Sequence, residues 1–183
     1  LAPGGAVIKH FSVPKEMHVH VGPARVFDTE DLAVEALLSR EVKPGDVVII
    51  RYEGPKANGM PEMYYATAII AASKELSATC AVITDGRYSG AAKGPAVGHV
   101  TPEAQDGGPI ALVHEGDLIE INVPERRLAI VGTSDGAKDP TEIDAILATR
   151  RAESVRPKAR HTKGILSLYG RVGAGANDGG YLA

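Results

Sequence analysis

Two short apolar runs constrain this chain more than anything else in it: Val47-Val48-Ile49-Ile50 and Ala81-Val82-Ile83. Neither places a polar residue on alternate positions, so both faces need covering, as for strands inside a parallel sheet. Between them, Tyr64 to Ala72 is apolar enough to form a buried helix. A strand–loop–helix–strand–loop order with right-handed crossover sets the loop after each strand on the same sheet edge. That edge is where open α/β sheets take their ligands.

The two loops differ in character from the strands that feed them. The first, Arg51 to Met60, is rich in Gly, Pro and charge, and Pro61-Glu62 follows where a helix can begin. Glu62 would then stand at a helix start, where the dipole favours an acid. The second runs Thr84-Asp85-Gly86-Arg87-Tyr88-Ser89-Gly90, a lone hydroxyl nucleophile with glycines around it. A Gly-flanked Ser just past a strand is one way to hold a reactive group at a pocket rim. On pattern alone, an Asp-Gly turn carrying a surface serine explains the same residues. Glycines at 86, 90, 94 and 98 raise the idea of a phosphate cradle, but neither GxxxxGK[ST] nor a GxGxxG opening a helix is present.

The rest of the chain supplies supporting elements. Gly4 to His10 holds a short β-type run, and His18 and His20 would share one strand face; an H-x-H pair can bind metal, but a solvated strand edge is the plainer account. Val21-Gly22-Pro23 reads as a break before Ala24 to Phe27. A helix follows, capped by Asp28 or Thr29, with Leu32, Ala33, Ala36 and Leu37 on its apolar face. Gly107 to Val113, Leu118 to Val123 and Leu128 to Val131 read as three consecutive strands. Ser134 to Pro140 is a polar linker, and Thr141 to Glu153 a helix with Ile143, Ile146 and Leu147 inward. Val155 to Lys163 is basic and reads as a solvated extended segment. The tail Arg171 to Gly180 is too glycine-rich for a core and reads as a ligand-contacting loop or a mobile end.

Bulk properties exclude several function classes. A net charge of −3, with no basic stripe carrying interleaved aromatics, gives no footprint for nucleic acid. No apolar run reaches membrane-spanning length. The single cysteine, Cys80, rules out an internal disulfide and points to a reducing, cytoplasmic setting. A first residue of Leu rather than Met reads as a fragment or processed piece.

Longer strings carry more information than the spacing. ITDGRYSG, GPAVGHVTPEAQDGGPIALVHEGDLIEI, RYEGPKANGMPEM, GAVIK and VGPARVFDTEDLAVEALL together resemble the C-terminal part of the dihydroxy-acid dehydratase and 6-phosphogluconate dehydratase family. The resemblance implies that residues 1–183 form the C-terminal domain of a larger dehydratase, with a core over about 4–132 and a C-terminal helix and Gly-rich tail over 133–183. It implies a mixed α/β swivelling domain with a β-barrel-like core and flanking helices. The implied reaction is a hydro-lyase step that turns a 2,3-dihydroxy carboxylic acid into a 2-keto acid.

In that scheme Ser89, of the DGRxSG motif, is the base acting as an alkoxide, and Glu62, of GMPEM, is a Mg²⁺ ligand. Arg87 and Asp85 are candidate substrate contacts. The family's iron–sulfur cluster has no ligands here; they are expected in an N-terminal domain of the same polypeptide. A homo-oligomer follows by family analogy. EMYYATAII and the tail GRVGAGANDGG lean toward the sugar-acid (xylonate-type aldonate) branch. Two other readings stay open: a non-catalytic swivelling or binding module that keeps the motifs for packing, and a nucleotide-binding domain using the 84–98 loop.

Overall fold

The structure is a computed structural model that describes residues 1–90 and 92–182; Ala91, inside the motif stretch 81–99, lies outside the described residues. Among the described residues, eight strands form one curled sheet, a half-barrel flanked by helices: β1 (Gly5–Ile8), β2 (Val19–Phe27), β3 (Val47–Ile50), β4 (Ala81–Thr84), β5 (Ala96–Thr101), β6 (Leu118–Asn122), β7 (Arg127–Thr133) and β8 (Gly136–Ala137). Their order across the sheet is β1-β5-β4-β3-β2-β6-β7-β8. The helices are α1 (Glu30–Leu38), α2 (Pro55–Asn58), α3 (Tyr64–Ala72), α4 (Lys74–Thr79), α5 (Pro140–Glu153) and α6 (Gly164–Val172). This is the mixed α/β, half-barrel architecture expected from the sequence. Among the described residues, no helix is long and apolar enough to cross a membrane.

The two apolar runs are neighbours, as their composition requires. β3 and β4 pair in parallel from Val47↔Ala81 to Ile50↔Thr84. Val47 and Ile49 enter one core with Ala24, Ile83, Val97, Ile119 and Ile121. Val48 and Ile50 enter a second core with Leu37, Met63, Ala66, Ile70 and Val82. Both faces are thus covered, and each fully buried Val or Ile contributes roughly 1.5–3 kcal/mol of transfer free energy.

β2 is continuous where a break was expected. Its first part, Val19 to Pro23, pairs antiparallel with β6, and its second, Ala24 to Phe27, pairs parallel with β3. Gly22-Pro23 marks the change of partner rather than an end. A side chain at Gly22 would run into the Gly45 carbonyl, so the close approach of the turn before β3 demands glycine there.

Other expectations are corrected. Gly107 to Val113 is no strand: Pro109–Leu112 forms a 3₁₀ turn, with Ile110 and Leu112 buried. The proline at its first position suits a helical turn and denies a ladder donor. The polar linker holds β8, and a helix, α2, lies within the loop after β3. β5 occupies part of the stretch read as loop. α3 has the expected bounds but buries only Ala66, Thr67 and Ile70, leaving Tyr64 and Tyr65 exposed. On α1, Thr29 is the cap, accepting from the Leu32 N–H at 3.2 Å; Ala33, Ala36 and Leu37 face inward, whereas Leu32 is exposed.

α5 starts at Pro140 behind a reciprocal capping box of Asp139 and Glu142. It is tied to the sheet by Arg150, whose guanidinium meets the buried Asp117 carboxylate with two nitrogens. The glycine-rich tail folds back on itself, with Gly173 bridged to Leu182 and the Ala174 N–H donating to the Tyr181 carbonyl.

Candidate functional site

Because β3, β4 and β5 run parallel, the loops that follow them leave one edge together. The edge is organised from below by carboxylates. Asp85, just past β4, is fully buried. Its two oxygens accept from the backbone N–H groups of Glu53 (2.9 Å) and Tyr52 (3.2 Å) in the first loop, and of Ala104 (2.8 Å) in the loop after β5. It does not bond the Asp-Gly turn's own backbone. Glu103, also buried, accepts from Lys56 (3.0 Å) and Ala57 (3.1 Å) at the start of α2. Gly54 makes room for that carboxylate, since a Cβ there would collide with it. Glu53 accepts from the Glu30 N–H at 3.2 Å and pairs with Arg160 at 3.1 Å.

Arg160 belongs to the basic segment read as solvated. That segment is largely exposed, yet Arg160 also donates to the Asp28 carbonyl at 2.8 Å, and the His161 ring meets the Asn58 side-chain oxygen at 2.6 Å. The acids Glu53 and Glu103 were missed in the sequence. No sequence signal marks them, since an Asp or Glu in a loop is solvated by default.

Burial pushes the Asp85 carboxyl up to about 6 and Glu103 up to about 7, against partial relief from the amides they accept. A carboxyl whose folded pKa exceeds its unfolded one contributes stability that is fully present below the unfolded value and is lost as pH rises through the folded value. The window runs from the ordinary carboxylate values, 3.8 and 4.5, to about 6 and 7. Thermal melting of the intact protein should therefore show stability falling between about pH 4 and 7, on the order of 1–3 kcal/mol for each group. Glu103→Gln should flatten that slope. An unchanged slope in that variant would contradict the account.

Above these acids lie the residues singled out in the sequence. Glu62 does not sit in the first turn of α3. It lies two residues before Tyr64 in extended backbone that bridges to Arg87 in parallel fashion. The Arg87 N–H donates to the Pro61 carbonyl at 3.1 Å, and the Met63 N–H to the Arg87 carbonyl at 2.9 Å. The Arg87 guanidinium pairs with the Glu62 carboxylate at 3.1 Å and donates to the Met60 carbonyl at 2.8 Å. Both side chains are well exposed, 51% and 39%, which leaves them accessible from outside. The first and second loops are thus laced together along their edges.

Ser89, two residues beyond Arg87, lines a cavity of about 160 Å³ with Lys9, Ser12, Tyr88, Gly98 and His99. Lys9 is brought there from the end of β1, and its ammonium donates to the Gly90 carbonyl. Glu62 is not among that cavity's lining residues; Arg87 is what connects the two. A larger groove of about 810 Å³ lies between β1 and the β6–β7 turn, lined by Leu1, Val7, Ile121, Leu128 and Leu147. It contains none of the candidate residues.

Among the described residues, the 84–98 loop runs into β5 and not into a helix, so no helix N-terminus stands at its end to cradle a phosphate. His18 precedes β2 and His20 lies within it. Their rings meet the Val13 and Gly45 carbonyls at 3.3 and 3.2 Å, as structural histidines do.

The donor set fits one implied group and not the other. A hard Mg²⁺ ion takes one or two carboxylates and completes its shell from elsewhere, and the exposed Glu62 oxygens can serve as one such ligand. No cluster of three or more His, Cys, Asp or Glu side chains suited to a metal exists among the described residues. An iron–sulfur cluster does not fit this chain. Cys80 is buried, its thiol pushed up by burial and directed at the Lys43 carbonyl.

Residues 1–180 match the family model described as dihydroxy-acid/6-phosphogluconate dehydratase, C-terminal. Among curated proteins, the chain is 49% identical over its full length to dihydroxy-acid dehydratase 1 of Methanosarcina acetivorans, covering 31% of that protein. It is 48% identical to the dihydroxy-acid dehydratase of Methanosarcina barkeri and 45% identical to that of Ruminiclostridium cellulolyticum, covering all of this chain and 31% of each relative. The chain thus spans about a third of the length of the curated relatives it matches.

Proposed function

Because the chain belongs to the dihydroxy-acid/6-phosphogluconate dehydratase family, we propose that it is the C-terminal part of a hydro-lyase that dehydrates a 2,3-dihydroxy carboxylic acid to a 2-keto acid. The observation that carries this reading is the lacing of the Glu62 and Ser89 loops through Arg87 at the C-terminal edge of parallel strands. The names of the relatives favour a dihydroxy acid over the sugar-acid branch.

The reaction must remove a weakly acidic C2 proton and expel a poor leaving group from C3. In this reading Ser89 takes the C2 proton as an alkoxide; an ordinary serine hydroxyl is far too weak a base, so positive charge must lie nearby. Mg²⁺, when bound, supplies Lewis-acid stabilisation of the carboxylate and developing enolate. Glu62 is its ligand from this chain. Arg87 orients Glu62 and, being exposed, can also meet a substrate carboxylate. Asp85 is a positioning residue, holding two neighbouring loops by three of their amides from below, where its burial keeps it from the substrate. No step is assigned to an iron–sulfur cluster here. The remaining ligands, and the wall that closes the site, belong to an N-terminal domain of a polypeptide about three times as long.

Glu62→Gln in the intact protein should weaken Mg²⁺ binding by about tenfold or more, since even outer-shell partners of a metal cost 10–100-fold when removed. Calorimetric titration measures this directly. Unchanged Mg²⁺ affinity together with full turnover would remove Glu62 from the site. It would also favour the non-catalytic packing module, to which the absence of Glu62 from the Ser89 cavity lends some support.

A further inference from the structure

The pairing of β1 with β5 contains one irregularity, and it falls beside Ser89. Val7 faces Gly98 and Gly5 faces Thr101, so two steps along β1 match three along β5. The surplus lies at His99-Val100, and His99 has φ of +57° inside a strand. A left-handed backbone is uncommon for a non-glycine residue, and bulges re-aim side chains next to active sites. The bulge is held in place: the His99 N–H donates to the Gly86 carbonyl at 2.8 Å, fastening β5 to the turn that leads to Ser89. Val100, next along, is buried in the core, while the His99 side chain lines the 160 Å³ cavity it shares with Ser89.

The rings of His18, His20 and His161 each rest on an oxygen; the His99 ring instead opens into the cavity that Ser89 also lines. The charge that acts on it is that of Arg87 in the second loop; Lys9 lines the same cavity from the end of β1. Burial and the Arg87 charge hold its pKa below the ordinary histidine value, so it is neutral and able to accept a proton near pH 7. Once protonated beside Arg87, it is a good acid.

We propose that His99 is the proton carrier paired with Ser89, a catalytic residue for the dehydration. This rests on the reading of Ser89 as the base. The imidazole nitrogen takes the hydroxyl proton as the Ser89 oxygen becomes the base. That oxygen then takes the proton from C2, which restores the serine. The C2 electron pair forms the C2=C3 bond, the C3–O bond breaks, and the imidazolium gives its proton to the departing hydroxide, which leaves as water. The enol tautomerises to the 2-keto acid, and both side chains return to their starting states.

The test is made in the intact holoenzyme with His99→Asn and His99→Gly, two residues that tolerate a positive φ. Both should lose about 100-fold or more in kcat, the scale of a positioned proton-transfer group, with KM within about threefold of the parent and an unchanged melting temperature. Added imidazole should restore part of the lost turnover in His99→Gly, where the deleted ring leaves room for it. Turnover within threefold of the parent, or a loss that imidazole leaves untouched, would overturn the proposal. Ser89→Ala separates the two readings: full activity there removes Ser89 as the base, whereas an inactive Ser89→Ala beside fully active His99 variants removes only His99.

Discussion

Ser89→Ala in the intact protein should lower turnover by about 10³-fold or more, at the upper end of what a positioned acid–base group supplies. The fold should hardly notice. Ser89 is half-buried in a loop beyond β4 and belongs to neither core, and one hydroxyl's hydrogen bond is worth only about 0.5–1.5 kcal/mol net. Melting temperature and Mg²⁺ content should therefore stay near the parent while product formation collapses. Steady-state kinetics beside a thermal melt would show both. Turnover within tenfold of the parent would mean that the hydroxyl is a bystander and that DGRYSG is kept for its turn.

Asp85→Ala should do the reverse, acting first on the fold. The carboxylate answers three backbone N–H groups from two loops, and a buried donor left without a partner costs roughly 1–3 kcal/mol. Against that stands the relief of no longer burying a charge. With the carboxyl raised from 3.8 to about 6, this relief is at most about 3 kcal/mol at neutral pH. Three orphaned amides and the space left by the side chain outweigh it. A net loss of about 2–4 kcal/mol is expected, which for a domain of this size lowers the melting temperature by roughly 5–15 °C. Activity should fall with it, since the loops bearing Glu62 and Ser89 lose their common anchor. A melting temperature within about 2 °C of the parent would show that water or loop movement satisfies those amides, and Asp85 would then be no anchor.

The contrast between these residues shows how much could be read beforehand. Val47-Val48-Ile49-Ile50 and Ala81-Val82-Ile83 announced their own pairing, because an apolar run with no solvated face has few places to go. The shared edge for Glu62 and Ser89 followed from that pairing. β5 escaped because Gly98 within it and Gly94-Pro95 just before it dilute its apolar character, and Gly107 to Val113 misled because a buried 3₁₀ turn and a strand are equally apolar. α2 is hidden by the Gly-Pro and Asn-Gly that bound it. The buried acids were illegible for another reason. An Asp or Glu in a loop is solvated by default, and only the three-dimensional return of Tyr52, Glu53 and Ala104 to Asp85 makes it a hub. The family strings pointed to the chemistry, while spacing alone left Ser89 an ordinary turn residue.

β2 changes neighbours halfway along, leaning first on β6 and then on β3. A single rod therefore runs through both the hairpin side and the helix-backed side, with no seam at which they could part. In the reading proposed above, a closure over substrate would carry this piece whole and not as two leaves folding.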